Sequence, residues 1–436
     1  MTRPAPRALM IAAPTSGAGK TTVTLALLRA FRTAGRPIVS AKSGPDYIDP
    51  KFHEAASGAA CVNLDAWAMG ADEIRGRAFA HAAGADLLLV EAAMGLFDGA
   101  ADGTGSAADL ADALACPVVL VVDCARQAQS VAAVVRGFRD HRADVRVAAV
   151  ILNRVAGARH EAMLHAALAP LALPVLGALP RSEALILPER HLGLVQAGEH
   201  DALEIFLDTT AGLCARAIDL DALARLAAPL APASAPAGLA PLGQRIAVAE
   251  DIAFAFAYPH LLDGWRRAGA DLTFFSPLAD EPPAPDADAV YLPGGYPELH
   301  AGRLAAAETF RAGVHRAAAR GARVFGECGG YMTLGEGLVD ADGARHAMLG
   351  LLPLETSFEQ RRLHLGYRRL TPLGGLPWAD GLAGHEFHYA TILREGAADR
   401  LFAARDALGE DLGCLGLRAG TVMGSFAHVI VGLAER

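Results

Sequence analysis

Residues 11–22 read IAAPTSGAGKTT, a glycine-rich turn that closes on Gly19-Lys20-Thr21. An apolar run, Ala8 to Ala13, feeds the turn, and a helix-compatible run, Thr22 to Phe31, leaves it. In a strand–turn–helix setting, backbone N–H groups close on a phosphate, a lysine reaches the terminal phosphates and a threonine hydroxyl binds Mg²⁺. Thr15, Ser16, Gly17, Ala18, Gly19, Lys20, Thr21 and Thr22 are therefore the candidate ATP loop, with Thr21 a metal ligand. The first position of G-x-x-x-x-G-K-[ST] falls on Pro14, so the loop is a variant.

Outward from this loop, short apolar runs alternate with helical stretches: Ala8–Ala13, Pro37–Ala41, Asp86–Val90, Pro117–Asp123, Val145–Leu152 and Leu173–Leu179. Each ends in a loop bearing Gly, Pro, Asp or Asn. That alternation predicts an α/β fold with a doubly wound parallel sheet, whose ligands sit beyond the carboxyl ends of the strands. From Ala227 to Gly243 the sequence AAPLAPASAPAGLAPLG reads as a linker or a surface-hugging connection. The alternation then restarts with Arg245–Ala249, Asp271–Phe275, Ala289–Leu292 and Arg323–Gly326, a second α/β unit with different loops. The expected domains are 1–226 and 244–436, joined by 227–243.

With 436 residues the chain has room for two or three domains, and 53% hydrophobic residues supply an ample core. A formal charge of −9 gives no sign of nucleic-acid affinity. No uninterrupted apolar run is long enough for a membrane span. The arginines near the N-terminus precede an apolar run that flows straight into the phosphate loop, which predicts a buried strand and not a signal peptide. Cys61, Cys116, Cys124, Cys214, Cys328 and Cys414 lack paired spacing, so neither a zinc motif nor a disulfide framework is expected and the cytoplasm is the expected compartment. A homodimer remains open.

Two acidic loops follow strand ends in the first half. AKSGPDYIDP (41–50) carries Asp46 and Asp49, and VEAAMGLFDG (90–99) carries Glu91 and Asp98. If these strands neighbour the loop strand, the acids converge on Lys20 and Thr21. Mg²⁺ keeps several waters and takes one or two carboxylates plus phosphate oxygens, so Thr21, Asp46 and Glu91 are its candidate ligands, direct or through water. Asp49 and Asp98 then lie where a second substrate approaches. An acid after a strand also serves to cap the next helix, and Asp98-Gly99 reads equally as a turn. In VILNRV (150–155), Asn153 is placed to bond an adenine edge or to end its strand.

In the second half, RVFGE runs into Cys328 and CGGYMTLGEGL. Small residues two before and two after Cys328 match a strand–turn–helix elbow with Cys in the place of Ser. Such a turn exposes the sulfur, and the helix N-terminus favours the thiolate. A general base is then needed, and SFAHVI offers His428 while GHEFHY offers His385 and His388. The loop LPGGYPELH supplies Gly294 and Gly295, whose backbone can face an oxyanion beside the Gly329 N–H.

The motifs PTSGAGKTT, KSGPDYIDP, VEAAMGLFDG, LPGGYPELH, FGECGGYM and GHEFHY resemble, in order, those of the cobyrinic acid a,c-diamide synthases of corrinoid biosynthesis, whose aerobic form acts on hydrogenobyrinic acid. The resemblance implies a dethiobiotin-synthetase-like ATP domain fused to a class I-like glutamine amidotransferase domain. It implies ATP, Mg²⁺, glutamine and a corrinoid polycarboxylate as reactants. It places Asp46, Asp49 and Glu91 on acidic positions of the ATP and metal site, Asp98 on a position linked to substrate carboxylate recognition, Cys328 on the nucleophile and His428 on its base. One feature departs from class I amidotransferases in general, whose base lies in His-x-Glu: here Ile430 stands in place of the acid. The orienting acid is then absent or supplied elsewhere, for example by Glu386.

Together these readings imply ATP-driven activation of a carboxylate as an acyl phosphate, ammonia release from glutamine at Cys328 and a shielded path between the domains. A cobyric acid synthase is disfavoured by KSGPDYIDP. A nickel-sirohydrochlorin a,c-diamide synthase shares the chemistry and stays open. A nucleotide switch of the partition-ATPase kind, with an inert second domain, would carry a signature lysine where this chain has Thr15.

Overall fold

Seven of the eight strands of the first sheet are parallel: β1 (Arg7–Ala12), β2 (Ile38–Ser43), β3 (Cys61–Leu64), β4 (Leu87–Glu91), β5 (Val118–Asp123), β6 (Val147–Val155) and β7 (Val175–Pro180). Their order is β3-β2-β4-β1-β5-β6-β7. Nearly every residue of β1, β4 and β5 is buried, as expected of strands covered by helices on both faces. The chain reverses direction across the sheet at β1, so the crevice beyond its carboxyl end is the topological switch point of the fold. The computed structural model describes residues 5–187, 196–200 and 202–433, with the backbone alone at 189–190 and 193–194. A small hairpin, β8 (Glu189–Arg190) with β9 (Gly193–Leu194), precedes the helix Leu203–Ala217.

Two features differ from the sequence reading. β3 is only four residues long and gave no run of its own. β2 does not adjoin the P-loop strand, since β4 lies between β1 and β2. The acids after β2 and β4 still meet, because β4 pairs with both neighbours and Glu91 stands beside Lys42 and Ile11.

The chain divides into two compact units, Met1–Pro236 and Ala237–Arg436. The Pro/Ala-rich stretch is divided with them, and its first part is no free tether. β10 (Ala228–Pro229) runs antiparallel to the start of β1, and the Leu230 N–H donates to the Pro6 carbonyl.

In the second unit, β11 (Arg245–Ala249), β12 (Asp271–Phe275), β13 (Ala289–Leu292) and β14 (Arg323–Glu327) are parallel. The sequence reading stopped there. The remaining strands are β15 (Gly337–Val339), β16 (Arg345–Ala347), β17 (Leu354–Ser357), β18 (His364–Pro372), β19 (Leu382–His388), β20 (Thr391–Glu395), β21 (Asp399–Arg405), β22 (Asp411–Ala419), β23 (Val422–Ser425) and β24 (His428–Gly432). β23 joins β14 in parallel, and from it the sheet continues antiparallel as β22-β21-β18-β19-β24. The second unit is thus a mixed sheet of ten strands with a small side sheet, β16-β15-β17-β20. The extension has a function-bearing consequence: it brings β24, which opens with His428, back toward the end of β14.

Candidate active sites

The phosphate loop leaves β1 and enters the helix Lys20–Thr33 at Gly19. Gly19 is left-handed at φ 89°, and a Cβ there would lie 2.3 Å from the Asn153 amide nitrogen. Glycine is required on both counts. No side chain caps this helix, so its first N–H groups are left for an anion. Thr15, Ser16 and Gly17 are exposed, whereas Ala18 and Lys20 are buried. The Thr22 hydroxyl donates to the Leu185 carbonyl at 3.2 Å and braces the helix. Asn153 lies within β6, opposite Asp123, and does not end its strand. Its amide donates to the Ala18 carbonyl at 2.9 Å, and its side-chain oxygen accepts from the Arg154 N–H. One role of Asn153 is therefore to hold the loop.

Beneath the loop the acids form a connected cluster. The Thr21 hydroxyl donates to Glu91 Oε1 at 2.6 Å and lies 3.5 Å from Asp49 Oδ2. Lys42 Nζ bridges the two acids, 2.5 Å from Asp49 Oδ2 and 2.8 Å from Glu91 Oε1. The other Glu91 oxygen meets His53 Nε2 at 2.6 Å, and His53 Nδ1 meets Cys61 Sγ at 3.5 Å. Burial opposes the Lys42 charge, but Asp49, Glu91 and Asp46 outweigh it and hold the ammonium well above its ordinary range. Burial likewise opposes ionised Glu91, yet Lys42 and His53 keep it far below the usual carboxylate range. His53 rises to about 10, against burial, through Cys61 and Glu91. Lys20 is lowered by burial, with Glu91 pulling the other way.

Asp46 stands apart in this balance. Burial and the neighbouring Asp49 push it up to about 7, although it accepts the Ile48 and Asp49 N–H groups. Asp46 is half-buried, and a carboxylate disfavoured by a second carboxylate is short of positive charge. Thr21, Asp49 and Glu91 offer hard oxygens of the kind a divalent cation takes, but among the described residues Asp46, Asp49 and Glu91 do not converge into a ready-made cation site. Asp98 is exposed at the rim. Its Oδ2 accepts the Gly95 N–H at 2.9 Å, and this turn closes on the phosphate loop, where a Cβ at Gly95 would lie 2.7 Å from the Pro14 carbonyl oxygen.

In the second unit, Cys328 lies between β14 and the short helix Gly329–Leu334, with φ 46° and ψ −104°. A non-glycine residue at positive φ is a strained elbow of the kind expected for a nucleophile, but the turn does not expose the sulfur as the sequence predicts: Cys328 is buried among packed neighbours. The small neighbours are required by space: a Cβ at Gly330 would lie 1.9 Å from the Leu292 carbonyl oxygen. Gly294 locates the partner. A Cβ there would meet His428 Cε1 at 2.2 Å, His428 Nε2 at 3.0 Å and Cys328 Cβ at 3.3 Å. The Gly295 nitrogen sits 2.9 Å from a Cβ placed on Gly329, so both candidate oxyanion amides border the sulfur's turn. Burial pushes the Cys328 thiol up, aided by Glu298, and pulls His428 down to about 3, aided by His385 and His388. Both shifts favour the uncharged thiol and imidazole over the ion pair.

Glu386 is committed elsewhere: its oxygens meet Arg368 Nε at 2.8 Å and His388 Nε2 at 2.9 Å. The acid beside His428 is Glu327, whose Oε2 is 3.8 Å from His428 Nδ1. Lys42, His53 and Glu327 went unnamed in the sequence reading. Lys42 and Glu327 lay inside quoted motifs, KSGPDYIDP and FGECGGYM. His53 carries a weaker signal, its place four residues after Asp49 on one helix face.

The comparisons accord with this geometry. Residues 9–195 match the family model of the CobQ/CobB/MinD/ParA nucleotide binding domain, and residues 245–435 match the CobB/CobQ-like glutamine amidotransferase domain. The chain is similar to hydrogenobyrinate a,c-diamide synthase of Brucella anthropi, 62% identical over 97% of this chain and 98% of that protein. The protein of that name from Rhizobium meliloti is also 62% identical, with the same coverage. That from Mesorhizobium japonicum is 52% identical over 97% and 98% of the two chains.

Proposed function

This chain belongs to the hydrogenobyrinate a,c-diamide synthase family, and from that premise we propose how its own residues divide the reaction. The enzyme is an ATP-dependent, glutamine-hydrolysing ligase that amidates the a and c acetate side chains of hydrogenobyrinic acid in cobalamin biosynthesis. The observation that carries the reading is the pairing of a phosphate loop with a Cys328 elbow in a chain 62% identical, over 97% of its length, to a hydrogenobyrinate a,c-diamide synthase.

A carboxylate is a poor electrophile, so ATP first phosphorylates it. The helix N-terminus at Gly19 and the Lys20 ammonium hold the phosphates, while Lys42 bonds Asp49 and keeps Glu91 ionised. Mg²⁺ held by Thr21, Asp46 and Glu91 would neutralise charge on the transferring phosphoryl group. Asp49 belongs to the cluster beneath the loop, bonded to Lys42, whereas Asp98 on the exposed rim would meet the incoming carboxylate. In the second unit Cys328 attacks the side-chain amide of glutamine, with His428 as base and the Gly294–Gly295 and Gly329 backbone around the oxyanion. Ammonia displaces phosphate from the acyl phosphate, and the cycle repeats on the second acetate. A cytoplasmic setting is supported by six free cysteines, and among the described residues no helix is long and apolar enough to cross a membrane.

Incubation of the purified protein with hydrogenobyrinic acid, ATP, Mg²⁺ and glutamine is expected to yield monoamide and then diamide by mass. Parallel reactions with cobalt-containing cobyrinic acid and nickel-sirohydrochlorin decide the macrocycle. Turnover of either in preference to the metal-free acid would overturn the substrate assignment.

A further inference from the structure

We propose that Glu327 is the positioning residue of the glutaminase pair: it fixes His428 from the side away from Cys328 and stabilises the imidazolium formed when the thiol proton moves. This rests on the reading of Cys328 and His428 as nucleophile and base.

The imidazole lies between two groups supplied by adjacent residues. Its Nε2 edge borders Gly294 and Cys328, and its Nδ1 is 3.8 Å from Glu327 Oε2. Glu327 is itself held firmly. The Tyr291 hydroxyl donates to Oε2 at 2.6 Å, and the Val429 N–H donates to Oε1 at 2.9 Å. The second of these bonds grips the peptide that follows His428, so one carboxylate restrains both the backbone and the ring of the base. The sheet explains the placement. β13 and β14 pair Tyr291 with Phe325, and the alternation of a strand puts Glu327 on the same face as both. Parallel pairing of β14 with β23 ends at Glu327 and Ser425, three residues before His428.

Two further acids influence Cys328, and neither takes this part. Glu386 is engaged by Arg368 and His388. Glu298 lies on the Pro-Gly-Gly loop, next to Pro297, whose Cδ packs on Gly329. That places it by the turn after the sulfur, not behind the imidazole.

The proton count closes with Glu327 a spectator. The Cys328 S–H bond breaks, its proton goes to His428 Nε2, and the sulfur electron pair forms a bond to the glutamine amide carbon. Collapse of the adduct breaks the C–N bond, the proton returns from Nε2 to the leaving nitrogen, and ammonia departs. Water then hydrolyses the thioester to glutamate and restores the thiol. Throughout, Nδ1 stays beside a carboxylate, 3.8 Å away, that gains and loses nothing. That is the role of the third member of a nucleophile–base–acid set, filled here by the residue before the nucleophile.

The test compares Glu327→Gln with the native enzyme. Glutamine can still accept the Val429 N–H and pair with Tyr291, so shape is kept and charge is lost. The expected result is a fall in glutamine-dependent kcat on the order of 10²-fold, with the KM for glutamine little changed and ammonium-dependent amidation near native. Inactivation of Cys328 by chloroacetamide at neutral pH should slow in parallel. A native kcat and native inactivation rate would overturn the proposal. Where Glu327→Gln does not fold, as shown by loss of ammonium-dependent turnover, Glu327→Asp applies the same test: charge is kept but drawn back from Nδ1. Its kcat should fall by about tenfold at constant KM, and a native kcat would overturn the proposal. Cys328→Ala separates the two readings. If it retains glutamine use, the nucleophile assignment fails. If it is inactive while Glu327→Gln is native, only the role of Glu327 fails.

Discussion

Under the phosphate loop, charge is present before any substrate arrives. Lys42, Asp49, Glu91 and His53 are joined in a run of contacts between 2.5 and 2.8 Å, with Glu91 and Lys42 driven further into their ionised forms by one another. Around Cys328 the reverse holds. The thiol is raised, His428 is lowered to about 3, and Glu327, the acid beside His428, is raised by burial to about 7 although the Tyr291 and Val429 hydrogen bonds favour its charged form. The contrast follows the chemistry of the two substrates. ATP brings charge, which standing ions must meet. Glutamine's amide is neutral, so a thiolate–imidazolium pair is needed only at the moment of attack, and low dielectric keeps it from forming earlier.

If the sites are this different, removing the centre of one should leave the other's chemistry readable. Cys328→Ala should give the largest effect, a loss of glutamine-dependent amidation by about 10⁴-fold or more, as expected when a nucleophile is deleted. Ammonium-dependent amidation should persist. Equal loss with both nitrogen sources would break the comparison, because it would make the elbow necessary for the phosphate chemistry.

The converse variants should fail with either nitrogen source. Lys20→Ala, Asp46→Asn and Glu91→Gln each remove charge that stabilises phosphoryl transfer, a loss typically on the order of 10²–10³ in rate. Steady-state rates with glutamine and with ammonium check this. A variant that loses glutamine use alone would belong to the other site.

A smaller effect should appear in stability. Asp46 has its native value raised from 3.8 to about 7, so the folded state holds its proton more tightly than the unfolded chain, and stability falls as pH rises through that interval. His53, raised from 6.5 to about 10, gives stability present below 6.5 and lost on going higher. Both predict a P-loop unit less stable at pH 8 than at pH 6 without metal. Mg²⁺ with ATP competes with the Asp46 proton, so its stabilisation should be greater at pH 8. Thermal melts at the two pH values, with Mg²⁺–ATP or with chelator, measure this. The amidotransferase unit should show no response to Mg²⁺, and a shared response would blur the contrast.

The two sites were also unequally legible. The P-loop concentrates its chemistry in eight consecutive residues, and helix and strand flank it, so sequence alone placed Thr15 to Thr22. The proposed amidotransferase site draws on residues 294, 328 and 428, and the antiparallel extension that returns β24 to β14 has half-exposed strands such as β18 with little periodic signal. The elbow could be read because a sharp turn demands small residues at fixed spacing. Glu327 could not, because its partners Tyr291 and Val429 are set by strand register. Lys42 was hidden for a similar reason: only the order β2-β4-β1 shows that it lies between Asp49 and Glu91.

Asp98 offers the finest test, because its two readings now have different atoms behind them. As a turn residue it uses Oδ2 to accept the Gly95 N–H at 2.9 Å, while its own N–H donates to the Gly95 carbonyl at 3.1 Å. As a selector it is an exposed negative charge on the rim near Lys20, facing a substrate rich in carboxylates, and it would act by repulsion or through a bridging donor. Asp98→Asn keeps an acceptor for Gly95 and removes the charge; Asp98→Ala removes both. Exposed charges contribute up to about 1 kcal/mol, so a selector role predicts a change of roughly fivefold in macrocycle KM or in the mono- to diamide ratio. That change should appear in both variants, with ATP affinity and glutaminase activity near native. Product masses at limiting macrocycle give the ratio directly. A native Asp98→Asn beside an impaired Asp98→Ala would assign the residue to its turn, since the acceptor and not the charge would then be what the phosphate loop requires.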